Sequence, residues 1–157
     1  DILTYDKCEC KKFLWVHLLP FYQETLKKYF NNNKEMQLLA CDLSFDYLEE
    51  LDVKNPYNAI AKKLILNHFN GPHLRRAESI LNAAKTLNAD AVINFCHWGC
   101  KQSNGGSMLL KKVMEENNIP YLSIDGDGVD RRNSHDGQLR TRLEAFFEIL
   151  KNNEGGI

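Results

Sequence analysis

Short apolar runs alternate along the chain with stretches whose apolar residues recur at helical spacing, and this alternation constrains the fold more than any other feature. The runs typical of buried strands are 13–18, 36–43, 90–95 and 120–124. Helical spacing predicts helices at 21–30, 57–69, 73–87, 106–117 and 138–150. Because neighbouring parallel strands need crossover connections, helices should cover both faces of the sheet. The sequence therefore predicts an α/β fold with a four-stranded parallel sheet flanked by helices on both faces.

Length and composition fit one such domain, of the Rossmann-like or flavodoxin-like kind. A chain of 157 residues, 43% hydrophobic and 26% charged, can bury one core of ordinary size. We expect the domain to occupy residues 13–152. Residues 1–12 are interpreted as a leader or linker, and residues 153–157 as a disordered tail.

Charge, hydropathy and cysteine number argue against several classes of protein. A net charge of −1 offers no basic surface for nucleic acid. No run approaches the roughly 18 apolar residues of a membrane helix. Five cysteines are an odd number in a domain too large to need disulfides, which favours a reducing cytoplasm.

The predicted topology gathers polar residues at one edge of the sheet. In open parallel sheets, ligands bind beyond the carboxyl ends of the strands. His17, Asp42 and the segments 96–101 and 125–132 each follow a predicted strand. We expect these residues to share one edge and to form the site.

The segment 95–102, FCHWGCKQ, crowds two cysteines, a histidine and a tryptophan at a strand exit. Gly105, Gly106 and Ser107 open the helix predicted to follow. Backbone N–H groups at a helix start favour an anion and would stabilise a nearby thiolate, so a metal ligand or a reactive sulfur is one interpretation. The alternative is that Cys96 is a small buried residue.

Two further hypotheses about the function of this segment remain open. Cys8 and Cys10 could join Cys96 and Cys100 in a zinc thiolate site, although structural zinc sites usually have two residues, not three, between paired cysteines. A metal-free α/β module that binds an anion or coenzyme A is the other.

A second cluster, 125–133, combines aspartates with glycines after a strand. An EF-hand does not fit, because Val129 stands where an oxygen ligand is needed. A phosphatase of the haloacid-dehalogenase type does not fit either, because only one helix follows. Asp125 and Asp127 are therefore candidates for binding substrate or a partner, or for satisfying a glycine-rich turn.

Basic side chains near these segments are the remaining candidates. Arg131 and Arg132 could bind a CoA phosphate, a carboxylate or a partner subunit, or could make surface pairs with Asp130. His17 and His97 could act as acid–base groups or as hydrogen-bond donors to a thioester, or could be structural.

The motifs together resemble the D-component subunits of 2-hydroxyglutaryl-CoA dehydratase and its relatives, which include benzoyl-CoA reductases. The similarity runs from residue 13 to residue 150. Its segments are 14–22, 42–46, 70–72 with Arg75 and Arg76, 95–102 with Gly105 and Gly106, 119–128, 130–133, 137–138 and 141–146.

The resemblance implies an oxygen-sensitive, two-subunit lyase of amino-acid-fermenting anaerobes that converts an (R)-2-hydroxyacyl-CoA to an enoyl-CoA. A [4Fe-4S] cluster would be held by three cysteines from different domains, a flavin could be present in the complex, and a separate ATP-dependent iron–sulfur activator would inject the electron that forms a ketyl radical. The family's C-terminal domain supplies one ligand three positions after a histidine. That pattern falls on His97 and Cys100, so Cys100 is the first candidate and Cys96 the second. The isolated domain is expected to hold no cofactor and to be inactive.

Overall fold

The structure, a computed structural model, describes residues 10–31, 33–44 and 50–152. Most of the expected leader, the tail at 153–157 and Cys8 lie outside these residues. The strands are β1 (Lys11–Val16), β2 (Met36–Cys41), β3 (Ala91–His97) and β4 (Tyr121–Gly126). The helices are α1 (Glu24–Phe30), α2 (Pro56–Leu66), α3 (His73–Thr86), α4 (Lys101–Glu116) and α5 (Asp136–Asn152).

The four strands form one parallel sheet in the order β2-β1-β3-β4. Phe13 pairs with Ala91, and Ile93 pairs with Leu122, so β1 and β3 are the central strands. The chain leaves β1 in one direction along the sheet and returns past it to β3. The predicted α/β class is confirmed, and the point where the chain reverses, between β1 and β3, is where such sheets bind ligands.

Two apolar cores cover the two faces of the sheet. On one face, α1 and α5 pack on alternate strand residues such as Phe13 and Trp15, both 0% exposed. On the other face, α3 and α4 pack on Leu14 and Val92. This alternation follows from the strand geometry, in which successive side chains point to opposite faces. Full burial of each large apolar side chain stabilises the fold by about 1.5–3 kcal/mol.

Several predicted boundaries were wrong, three of them at the limits of α1, β2 and α4. Helix α1 begins at Glu24 rather than at residue 21, because Gln23 donates its N–H to the carbonyl of Pro20 and forms a turn. Strand β2 ends at Cys41, and Asp42–Ser44 form a 3-10 turn. Helix α4 begins at Lys101, five residues before the expected start.

The first strand begins at Lys11, two residues before the expected start of the domain. It ends at Val16 because His17 takes a positive φ of 72°. Such a backbone conformation is unfavourable for residues other than glycine and cannot continue a strand.

Helix α2 differs from the others in how little of it is buried. Ala59 is its one buried residue, whereas Tyr57, Ile60, Leu64 and Ile65 are all more than half exposed. Among the residues described, no helix combines the length and apolar character needed to cross a membrane.

Candidate functional site

The carboxyl edge of the sheet brings the ends of β1, β2 and β3 together, as the sequence predicts. The backbone N–H of His17 donates to Oδ1 of Asp42 at 2.6 Å. Oδ2 of Asp42 accepts from Nε and Nη2 of Arg76, at 3.0 and 2.6 Å. One fully buried carboxylate therefore ties the end of β1 and the end of β2 to helix α3.

The imidazole of His17 lies half-buried at this junction. Burial lowers the pKa of His17, and the positive charge of Arg76 lowers it further, against an opposing effect of Asp42 and beside a smaller contribution from His97. Its Nδ1 atom has no hydrogen-bond partner among the described residues. A neutral imidazole at the central edge of the sheet can accept or donate one hydrogen bond to a ligand, so the predicted acid–base role of His17 stays a prediction.

His97 ends β3, and its ring is held by the loop that follows β4. Nδ1 of His97 accepts the backbone N–H of Gly128 at 3.0 Å. That bond requires a lone pair on Nδ1, so the proton of the neutral ring is on Nε2. Oδ1 of Asp127 stands 3.8 Å from the same nitrogen, but this contact is not an ion pair while Nδ1 is an acceptor.

Cys100 follows in a tight turn and caps helix α4. Its backbone N–H donates to the carbonyl of His97 at 2.9 Å, and its Sγ accepts the N–H of Ser103 at 3.4 Å. The cysteine is half-buried at the mouth of the edge. A sulfur that accepts an N–H at the start of a 16-residue helix stands where negative charge is stabilised.

The other described cysteines are placed differently. Cys96 is 4% exposed beneath α4, with its sulfur 3.3 Å from Oγ of Ser123. The thiol of Cys41 donates to the carbonyl of His17, and burial raises the pKa of this thiol to about 11. Cys96 thus matches the interpretation of a small buried residue.

Cys10 precedes β1 and so lies at the amino edge of the sheet. The six residues of β1 separate that edge from Cys96 and Cys100 by roughly 20 Å. The zinc site that combined these cysteines is therefore wrong with respect to Cys10. Within residues 10–31, 33–44 and 50–152, no group of three or more His, Cys, Asp or Glu side chains is placed to hold a metal.

The loop after β4 uses its acidic and basic side chains internally. Oδ1 of Asp127 accepts the N–H groups of Val129 and Asp130, and Oδ2 accepts from the side chain of Asn133. These bonds lower the pKa of Asp127 to about 2, with the bond from Asn133 the largest cause. Asp127 is a turn residue in this structure.

The remaining charged candidates of this region form pairs at the surface. Arg132 bonds Asp130 at 2.6 Å, and Asp125 accepts from Arg142 at 2.8 Å. A ligand that bound Asp125 or Arg132 would have to compete with these pairs. Arg131 has an exposed side chain, so a ligand could reach it directly. The predicted binding roles of all three residues stay predictions.

The three small residues Gly105, Gly106 and Ser107 lie inside α4, not at its start. Their N–H groups therefore belong to the helix, and the predicted anion site formed by those groups is wrong. A Cβ on Gly106 would stand 2.1 Å from the ring of His73, so glycine is required for the close approach of α3 and α4. Gly105 and Gly106 do line an open cleft between the two helices.

This cleft, of about 290 Å³, was not found by the sequence reasoning. His73, Arg76 and Lys101 face it beside the two glycines. Burial lowers the pKa of His73, and Arg76 lowers it further. The segment 70–76 resembles the family, but a helix junction containing one histidine carries no pattern that predicts a binding cleft.

Comparison with known proteins gives a consistent result. The model of the family described as "2-hydroxyglutaryl-CoA dehydratase, D-component" matches residues 4–150. Lactoyl-CoA dehydratase subunit alpha of Anaerotignum propionicum is 24% identical over 97% of the chain and 36% of its own length. The (R)-2-hydroxyglutaryl-CoA dehydratase subunit beta of Acidaminococcus fermentans is 35% identical over 48% of the chain and 19% of its own length.

A third relative, the (R)-phenyllactyl-CoA dehydratase alpha subunit of Clostridium sporogenes, is 31% identical over 45% of the chain and 17% of its own length. The chain therefore spans little more than a third of these proteins at most. Because the family match extends over nearly the whole described structure, from β1 to the last turn of α5, the chain belongs to the 2-hydroxyglutaryl-CoA dehydratase D-component family.

Proposed function

We propose that this chain is a domain of one subunit of a 2-hydroxyacyl-CoA dehydratase and that Cys100 is one thiolate ligand of an iron–sulfur cluster. The observation that carries the proposal is the position of the Cys100 sulfur, half-buried at the mouth of the carboxyl edge and bonded by the N–H of Ser103. Hydrogen bonds to sulfur are among the means by which proteins tune iron–sulfur clusters.

The donor set fits a shared cluster. The described residues bring no second cysteine sulfur to the mouth of the site beside Cys100: Cys96 is buried beneath α4, and Cys41 is engaged with His17. The other ligands would then come from outside the described residues. That requirement agrees with a chain that covers only 36% of the lactoyl-CoA dehydratase subunit.

When bound, the cluster would supply one-electron transfer to a CoA thioester. The residues of this chain would position the thioester and form hydrogen bonds with it beside the cluster. The Nε2–H of His97 and the half-buried imidazole of His17 stand at the ends of β3 and β1, the two central strands, where a thioester oxygen could be held. The proposed substrate is an (R)-2-hydroxyacyl-CoA, and the proposed partners are a second dehydratase subunit and an ATP-dependent activator.

The apolar surface of α2 supports the proposed assembly. Tyr57 is 89% exposed and Leu64 is 62% exposed, within a helix of 11 residues that buries only Ala59. A surface helix normally buries one apolar face, and contiguous exposed apolar residues mark protein contacts. Contact with the rest of a dehydratase complex would bury this surface.

Iron analysis of the complete subunit, purified with its partner under exclusion of air, tests the proposal. Cys100→Ser should lower the iron content and bleach the visible absorption of the cluster. Cys41→Ser is the matched control, because it changes a second half-buried cysteine of the same edge and should leave the iron unchanged. Equal iron in wild type and Cys100→Ser would remove Cys100 from the site, and loss of iron in Cys41→Ser alone would reassign the ligand.

A further inference from the structure

We infer that the cleft between the first turns of α3 and α4 binds a phosphate or carboxylate group through Arg76, Lys101 and the N–H groups that begin the two helices. This site lies next to Cys100 along the chain but does not depend on iron. It therefore goes beyond the proposed function and can be tested separately.

The guanidinium of Arg76 is the first observation. The residue is 5% exposed, and its position is fixed because Nε and Nη2 both bond Oδ2 of Asp42. The ring of Phe69 packs against the guanidinium, with its centroid 4.7 Å from Cζ. Nη1 donates to no acceptor in the described part of the chain, and Arg76 lines the cleft. A buried, immobilised cation thus retains a donor for a ligand.

The two helix starts are the second observation. Helix α3 begins at His73, after Pro72, and no side chain caps it. Helix α4 begins at Lys101, and its Cys100 cap satisfies only the N–H of Ser103. In α3 the N–H of Arg75 already donates to the carbonyl of Pro72 at 3.0 Å, so the N–H groups of His73 and Leu74 are the ones without an acceptor inside the helix. In α4 the N–H groups of Lys101 and Gln102 are in the same position. Because residues from both first turns line the same cleft, the positive ends of two long helices converge there.

Lys101 gives the cleft an exposed ammonium. Among the described residues that line the cleft there is no aspartate or glutamate, although Asp42 bonds Arg76 from outside the lining and offsets part of its charge. The pKa of His73 is lowered, so its ring is neutral near pH 7 and can accept or donate a hydrogen bond without repelling an anion. Phe69, Pro72 and Leu109 form apolar walls. The cleft therefore fits an anionic group attached to a less polar body.

Gly105 and Gly106 line the part of the cleft that α4 forms. Gly106 is covered by the ring of His73, but a Cβ on Gly105 would meet no atom within 4 Å. A larger side chain at 105 would therefore enter the open cleft without displacing the packed core. This position allows the cleft to be blocked while the fold is kept.

Titration of the chain by two-dimensional 15N–1H NMR at low ionic strength tests the inference. The probes are inorganic phosphate, coenzyme A, pantetheine and glutarate. We expect phosphate or glutarate to shift the amide signals of residues 73–76 and 101–106. If coenzyme A binds much more tightly than pantetheine, the natural ligand group is a phosphate. If glutarate binds and inorganic phosphate does not, the ligand group is a carboxylate. In either case the shifts should weaken as salt is added, because salt screens the charges.

Two variants and a control complete the test. Lys101→Gln should weaken binding about tenfold or more, as expected for loss of one charged donor. Gly105→Leu should abolish binding, and Lys112→Gln, an exposed lysine of α4 outside the cleft, should leave it unchanged. The inference is overturned if no anionic probe binds, if pantetheine, which carries no charge, binds as tightly as the best anionic probe, or if both cleft variants bind like the wild type. None of these results bears on the iron content of Cys100→Ser.

Discussion

The carboxylate of Asp42 and the guanidinium of Arg76 meet at 2.6 Å, with side chains that are 0% and 7% exposed. The same carboxylate accepts the backbone N–H of His17. A buried pair of this kind costs desolvation energy to form, so its main effect is to fix geometry. Here the pair joins β1, β2 and α3 at the edge that carries both the cleft and Cys100.

Removal of one partner from this pair should be strongly destabilising. Arg76→Met leaves the Asp42 carboxylate buried without a counter-ion, and we expect a loss of about 3–5 kcal/mol in the free energy of unfolding. Urea denaturation followed by circular dichroism measures it. The double variant Asp42→Asn, Arg76→Met should recover part of the loss. Arg142→Ala, which breaks the exposed pair with Asp125, should cost less than about 1 kcal/mol. A small effect of Arg76→Met would show that the pair is not structural.

Two adjacent glycines should respond in opposite ways to the same substitution. Gly106→Ala places a Cβ 2.1 Å from the ring of His73, so the ring must move and we expect a loss of about 1–3 kcal/mol. Gly105→Ala meets nothing and should be neutral or stabilise the helix by up to about 1 kcal/mol. If the clash is the cause, adding His73→Ala to the Gly106→Ala variant should recover the lost stability. Equal thermal midpoints for the two alanine variants would contradict this account.

Stability should fall as the pH is lowered from 7 toward 5. The pKa of His17 is lowered in the folded chain, chiefly by burial, so the unfolded chain binds more protons once the pH passes below about 6.5. The depressed pKa of His73 adds an effect of the same sign. Asp127, with a pKa of about 2, does not contribute in this range, because its effect is lost only below the ordinary aspartate pKa near 4.

The variant His17→Asn checks this assignment. Asparagine tolerates the positive φ of 72° at this position and does not titrate. Urea midpoints measured at pH 7.5 and 5.5 should differ less for the variant than for the wild type. An unchanged pH dependence would exclude His17 as a source of the effect.

Much of the architecture could be predicted because it depends on local patterns. The four apolar runs and the helical spacing between them were sufficient for the parallel sheet and for the edge shared by His17, Asp42 and Cys100. The start of α1 was wrong because Phe21 continues the helical spacing yet is 76% exposed in a turn. Spacing alone does not distinguish a buried aromatic residue from an exposed one.

The start of α4 was wrong for a different reason. Glycine is unfavourable inside a helix, so adjacent glycines favour a boundary in a sequence-based prediction. The requirement for Gly106 comes from the ring of His73 on another helix, a contact between residues 33 positions apart. The pairing of Asp42 with Arg76 likewise depends on the order of the strands and on where α3 packs, which no local pattern contains.

The tautomer of His97 is a final property that the structure predicts. Because Nδ1 accepts the N–H of Gly128 at 3.0 Å, the neutral ring must carry its proton on Nε2. Long-range 1H–15N correlation spectra at pH 8 should therefore show a protonated Nε2 and an unprotonated Nδ1. His135, an exposed histidine, provides the reference for a ring without this constraint. A protonated Nδ1 in His97 would mean that this nitrogen donates toward Asp127 instead, and Nε2 would then accept a hydrogen bond near Cys100 rather than donate one.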